Sequence, residues 1–140
     1  QIGFDYDYSP EFSDFQLLLD FFSRHKITPM FVIPPVNDKW AKYTGLSQEM
    51  LDLFDRKIQY QLRTQGFNHI EDLIDQGNQP YFMQDTIHFG WRGWLAVDDA
   101  VRPFLENQQP TPKYKINKSF YTKTWQKKEP RDIPDMRAGK

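Results

Sequence analysis

Cysteine is absent from these 140 residues. Its absence removes disulfides, zinc–thiolate centres and thiol nucleophiles from the chemistry open to this chain. No apolar run approaches the roughly 20 residues of a membrane span, and no secretory leader pattern is visible. Glycine is sparse, with seven residues scattered along the chain, so there is no glycine-rich loop of the kind that cradles phosphate. The serines are Ser9, Ser13, Ser23, Ser47 and Ser119, and none lies in a Gly-x-Ser-x-Gly elbow. Asp85, His88 and His69 could in principle hold a metal. However, no His-x-His or His-Glu-x-x-His pattern supports one, so neither a metal nor a cofactor is expected. The chain opens on Gln1 rather than Met and reads as a piece of a longer protein.

What is present is aromatic mass. Twelve Phe, seven Tyr and four Trp make up 16% of the chain, enough to build a core in one domain of this length. Charge is divided unevenly. Residues 1–105 carry 9 Lys/Arg against 15 Asp/Glu, and residues 106–140 carry 9 against 4. A basic tail on an acidic body implies docking onto that body, contact with a polyanion, or plain solvation. Lys113, Lys115 and Lys118 are the candidate polyanion contacts.

Periodicity organises the rest. Asp5–Tyr8 reads as loop. Ser9-Pro10 is a helix entry, and Phe12, Phe15, Leu18, Leu19 and Phe22 recur at helical spacing over about 10–25. Met30–Ile33 is a short apolar run closed by Pro34-Pro35, as in a buried parallel strand. Val36–Leu46 reads as a polar loop. Ser47 caps a helix on which Leu51, Phe54, Ile58 and Leu62 recur, and Gly66 ends it. Phe67–Ile70, extending to Leu73 at most, is a second strand. A last helix starts near 91 with Trp94, Val97, Val101 and Phe104 on its inner face, and Pro103 should kink or end it. Alternating helices and strands predict an α/β domain with parallel strands. Two strands make a poor sheet, so further strands are expected upstream. Residues 1–105 are thus expected to form part of such a domain. Residues 106–140 form a Pro/Lys-rich tail, packed in its first half and flexible from about 127.

The chemistry concentrates in Asp85-Thr86-Ile87-His88. A carboxylate three residues before an imidazole can hold one ring nitrogen while the other faces a reacting group, which is the acid–base half of a hydrolase triad. In that role His88 takes the proton from a hydroxyl nucleophile, and Asp85 fixes its tautomer. The bland alternative is a structural histidine beside an apolar helix. Trp91, off the main helical stripe, is a candidate pocket wall. So is Asn37, at the carboxyl end of the first strand. His25 and His69 have no partner at a diagnostic spacing.

The Asp85-Thr-Ile-His88 block, followed by a glycine-containing helix, resembles the last conserved block of the GDSL/SGNH hydrolases. A longer match includes Ser9-Pro-Glu-Phe12, Phe31-Val-Ile-Pro-Pro-Val-Asn37, Pro80-Tyr-Phe-Met83 and Asp85–Trp94. From about residue 9 to Trp125 it resembles the C-terminal part of the D-alanine transfer proteins of teichoic acid D-alanylation. The resemblance implies a partial three-layer α/β/α fold of SGNH type whose N-terminal strands are missing here. It also implies a single membrane helix outside this chain and a catalytic domain on the outer face of a Gram-positive cell membrane. The implied activity places D-alanine esters on lipoteichoic acid. A serine would attack an activated D-alanyl group, His88 would relay the proton with Asp85 as triad acid, and a teichoic acid hydroxyl would replace water. The implied partners are lipoteichoic acid, a D-alanyl donor or carrier protein, and the membrane, with no nucleic acid. The family's serine block and its Gly and Asn oxyanion blocks have no counterpart here. Asn37 is not that Asn, because its Pro-Pro context belongs to a later strand. This chain alone is therefore expected to be inactive. The rival readings are a non-catalytic module binding teichoic acid or the carrier, and a generic SGNH esterase or thioesterase.

Overall fold

The computed structural model describes residues 9–140, so the loop expected at Asp5–Tyr8 lies outside the described residues. Among the described residues, two short parallel strands and five α-helices make a mixed α/β architecture. The expected boundary near 105 is not the one the fold follows. Compact unit 1 takes residues up to 29 together with 53–68 and 111–140, and unit 2 takes 30–52 and 69–110.

Unit 2 holds the sheet. Strand β1 (Phe31–Ile33) pairs in parallel with β2 (Ile70–Asp72), with Phe31 opposite Ile70 and Ile33 opposite Asp72. The ladder is extended at both ends. The Phe31 N–H donates to His69 O at 2.9 Å, and the Leu73 N–H donates to Ile33 O at 2.9 Å. After β1 and the first helix of the chain, α1 (Glu11–Arg24), the segment expected to be loop forms helix α2 (Asp38–Thr44). Its signals are local. The Asn37 side chain accepts from the Lys39 N–H at 3.2 Å, and Gly45 closes the helix at φ 79°, a conformation that glycine reaches without a Cβ penalty. The loop reading fails because a seven-residue helix shows little apolar periodicity.

Helix α4 (Trp91–Glu106) closes unit 2. Its inner face differs from the expected one. Gly93 is buried, and Val97 packs with Val32, Phe89 and Ala96 on a core of Leu73, Phe82 and Met83. Trp94 stays 60% exposed. The reason is close approach: a Cβ on Gly93 would lie 2.3 Å from Phe82 O and 2.5 Å from the Phe89 ring. Only the glycine lets the helix sit this near the 82–89 loop, and the helix turns accordingly. Pro103, about one turn before the end, does not stop the helix, which continues to Glu106.

Unit 1 is built from helix α1 (Glu11–Arg24), the later part of α3 (Gln48–Arg63) and residues 111–140. The Ser9 hydroxyl accepts from the Glu11 N–H at 3.2 Å, and the Ser47 hydroxyl accepts from the Met50 N–H at 3.1 Å, as helix caps do. In α1 the buried face is Phe12, Gln16 and Leu19, whereas Leu18 is exposed. A glutamine occupies the place where an apolar stripe was expected, because the interior here is polar. Gln16 and Gln65 exchange two side-chain hydrogen bonds of 2.8 Å. Gln61 donates to Phe12 O at 2.9 Å and accepts from the Trp125 indole N–H at 3.2 Å. The buried Lys57 ammonium donates to Gln126 O and Lys128 O, both at 3.0 Å, and lies 4.4 Å from the Phe12 ring centre. Around this network pack Phe12, Phe120, Trp125 and Ile133.

The tail is therefore integral to unit 1. In its first half Tyr114 stacks on Phe67 at 4.1 Å and donates to Ile27 O. Residues 127–140, expected to be flexible, contain a short 3-10 helix (Pro130–Asp132) and bury Ile133 and Arg137. The Arg137 guanidinium lies 3.5 Å from Asp55 and makes a two-bonded pair with Asp135, whose carboxyl it pulls down to about 2. Composition hides this order because one Arg and one Ile, rather than an apolar run, anchor the segment.

Gly93→Ala should destabilise the chain by about 1–3 kcal/mol through overpacking. Urea unfolding checks this, and an unchanged midpoint would mean that the helix shifts at no cost.

Candidate active site

The Asp85–His88 turn lies in unit 2, between the cluster residue Met83 and α4. Its backbone is held from several sides. The Gln84 N–H donates to His88 O at 2.8 Å, the Gly90 N–H donates to Phe82 O at 2.8 Å, and Met83 and Phe89 form an antiparallel bridge. The Asn37 N–H donates to Thr86 O at 3.1 Å, tying the turn to the end of the β1 loop. Within this frame one carboxylate performs two tasks. Asp85 Oδ1 accepts the backbone N–H groups of Ile87 at 3.0 Å and His88 at 2.8 Å. Its oxygens also lie 3.0 and 2.8 Å from His88 Nδ1.

A carboxylate on Nδ1 favours the tautomer with its proton there and leaves the Nε2 lone pair outward. The His88 side chain is 71% exposed and that of Asp85 49%, so the ring is open to a reacting partner. The hydrogen bond from the His88 backbone N–H, then that from its ring, then that from the Ile87 N–H hold the Asp85 carboxyl below its ordinary range. Chemically the arrangement is an oriented imidazole able to accept a proton at Nε2 and stabilised by the carboxylate once charged.

The other sequence candidates fall in different places. Asn37 spends its side-chain oxygen capping α2, and it also lines a cleft with Lys39 and Tyr81. Trp91 is 57% exposed, with its ring 6.2 Å from Tyr81 and 5.2 Å from the Arg92 guanidinium. Tyr81 and Arg92 escaped the sequence reading. Tyr81 adopts φ 64°, which no local residue pattern foretells. Lys113, Lys115 and Lys118 are exposed in unit 1, the first two alternating with the partly buried Tyr114 and Ile116. His25 stacks on Phe21 at 4.4 Å, and His69 lies 5.1 Å from Phe104; packing accounts for both. Ser13 is committed to Phe120 O at 2.9 Å. Among the described residues no cluster of three metal-ligating side chains exists, and no helix is long and apolar enough to cross a membrane.

Fold and turn together define a mixed α/β chain carrying a carboxylate-oriented, accessible histidine. A family model described as "DltD protein" matches residues 1–106, and the chain belongs to that family. Protein DltD of Lacticaseibacillus rhamnosus is 54% identical over 127 residues, covering 90% of this chain and 30% of that protein. Protein DltD of Bacillus subtilis (strain 168) is 40% identical over 109 residues, covering 78% and 28%. Protein DltD of Staphylococcus aureus (strain NCTC 8325 / PS 47) is 28% identical over 111 residues, covering 77% and 28%. The chain spans about three tenths of the length of these relatives, and the matched part of them is C-terminal.

The sign of the pH effect follows from Asp85. Its depressed carboxyl stabilises the turn above the ordinary aspartate range, and that contribution is lost as pH falls through the lower, folded value. An NMR titration of the Asp85 carboxyl carbon should show a midpoint below that of free aspartate, moving part of the way up in His88→Ala. An unshifted midpoint would show that the turn does not persist in solution.

Proposed function

We propose that this chain is the C-terminal part of an extracytoplasmic, SGNH-like acyl-transfer protein that places D-alanine esters on lipoteichoic acid. In this reading it supplies the triad base and acid. The observation that carries the proposal is the pairing of Asp85 with His88 Nδ1 at 2.8 Å, with the ring open to solvent. Membership of the DltD family supports it, as does the parallel pair of strands. The three-layer fold, the membrane anchor and the outer-face location remain part of the proposal.

The mechanism uses each group in turn. A serine hydroxyl elsewhere in the whole protein attacks the carbonyl of an activated D-alanyl donor or carrier. His88 Nε2 takes its proton and returns it to the leaving group. A teichoic acid hydroxyl then attacks the acyl-enzyme, losing its proton to the same nitrogen, which passes it to the departing serine oxygen as the acyl–serine bond breaks. Asp85 keeps the ring in register and balances the imidazolium charge in both half-reactions. Lys113, Lys115 and Lys118 offer a solvent-facing row of positive charge suited to a polyanion.

In the intact protein, His88→Ala should lower D-alanine ester formation by about 10²–10⁴-fold, the usual worth of a general base. Wild-type ester levels in cells carrying only that variant would defeat the assignment. Asp85→Asn should slow turnover while leaving the circular dichroism spectrum and melting transition near wild type, whereas a collapsed melting transition would make Asp85 a structural residue.

Replacing Lys113, Lys115 and Lys118 with Gln should weaken teichoic acid binding and flatten its dependence on salt, since fewer counterions exchange. Unchanged binding across a salt titration would reduce the row to a solvated edge.

A further inference from the structure

Unit 1 carries a concavity of its own, about 320 Å³ in volume, and every residue lining it belongs to that unit. That is the size of a small ligand site, since such sites run from about 300 to 1,000 Å³. Its floor is apolar and made of the buried Phe120, Trp125 and Ile133. The floor is fixed in place. Trp125 meets Phe120 edge-on at 4.7 Å, lies stacked with Tyr60 at 5.7 Å, and gives its indole N–H to Gln61 at 3.2 Å. The Ile133 carbonyl accepts the Arg56 Nε–H at 2.7 Å. The walls are capped turns. The Asn117 side chain accepts the Ser119 N–H at 2.9 Å and starts the 3-10 helix Lys118–Tyr121. The Thr122 hydroxyl accepts the Trp125 N–H at 3.2 Å and starts helix α5 (Lys123–Gln126). A lining held in this way is formed before a ligand arrives, so binding orders little.

The polar groups around that floor select a ligand class. The Tyr60 phenol, the Ser119 and Thr124 hydroxyls, the Lys128 ammonium and the Asp132 carboxylate all line the concavity. None of these side-chain groups has a hydrogen-bond or ion-pair partner among the described residues. Lys128 and Asp132 are the two charged residues of the lining, and their charges sum to zero. The site therefore has no net attraction for a phosphate or a carboxylate. The three hydroxyls can each donate and accept, Lys128 donates, and Asp132 accepts. Such a set matches a ligand whose own neighbouring hydroxyls donate and accept, while the floor suits C–H surface. We propose that this concavity binds a neutral pyranose, with its C–H face toward Trp125 and its hydroxyls bonded by Ser119, Thr124, Lys128 and Asp132. An open-chain polyol brings the hydroxyls without a rigid apolar face. A zwitterionic amino acid matches the two charges and leaves the three hydroxyls unmet.

This assignment is independent of the acyl-transfer function, since neither Asp85 nor His88 lines the concavity. The test is an amide NMR titration of the 140-residue chain with the methyl glycosides of glucose, galactose and N-acetylglucosamine. Glycerol and leucine are run in parallel. Ligands of about 13 to 16 non-hydrogen atoms at ordinary efficiency bind with Kd on the order of 1 mM. Saturable shifts are expected at Ser119, Thr124 and Asp132 with at least one glycoside, and with neither glycerol nor leucine. Asp132→Ala should weaken that binding roughly tenfold, as for loss of a charge-assisted hydrogen bond. Asp132→Asn should weaken it less, because an acceptor oxygen remains. Glycerol moving the same amides equally would overturn the pyranose assignment, and so would saturation by leucine in place of the glycosides. Titrations that never saturate with any glycoside, or undiminished affinity in Asp132→Ala, would overturn the site itself.

Discussion

One carboxylate organises the chemistry of this chain. Asp85 accepts two backbone N–H groups and one imidazole nitrogen within four residues. The same oxygens therefore fold the turn and aim the histidine. A carboxyl protonated in this position would lose its acceptor strength toward all three donors together. Its depressed titration has a local cause: a charged acceptor met by backbone and ring donors of the same turn.

The rest of unit 2 presents that turn. Gly77, Gly90 and Gly93 each stand where a Cβ would collide with a carbonyl oxygen. Gly77 lets its backbone approach that of Val36, and Gly90 and Gly93 let the start of α4 approach the backbone of Tyr81 and Phe82. Unit 1 follows a different logic. Its interior depends on glutamines, one lysine and one arginine whose polar atoms are met by carbonyls, carboxylates and each other. Buried polar groups are costly when unmatched and specific when matched, so the network pins the tail segment to α1 and α3 more selectively than an apolar surface would.

Local devices were legible in the residues. Ser9 and Ser47 cap helices, Gly66 sits at φ 97° after α3, and the apolar run before Pro34-Pro35 is a parallel strand. The Asp85–His88 spacing was legible for the same reason, since its bonds span three residues. Three readings went astray, one in a short local helix and two where distant contacts decide. Val36–Leu46 holds a helix too short for apolar periodicity. Trp94 faces outward because Gly93 takes the buried position. Residues 127–140 are anchored by Ile133 and by Arg137, the latter beside Asp55, more than 80 positions earlier.

The order of residues alone determined which groups could do acid–base chemistry and where the chain starts and stops its helices. Those outcomes depend on hydrogen bonds made within a turn, and a turn contains its own partners. Tertiary structure decided which face of each helix is buried, how the tail is held and that a cleft exists beside the Asp85–His88 turn. Each of these is a property of surfaces that meet only after segments some 40 to 80 residues apart have been brought together. Close packing then allows only one rotation of a helix where a glycine and a carbonyl must touch.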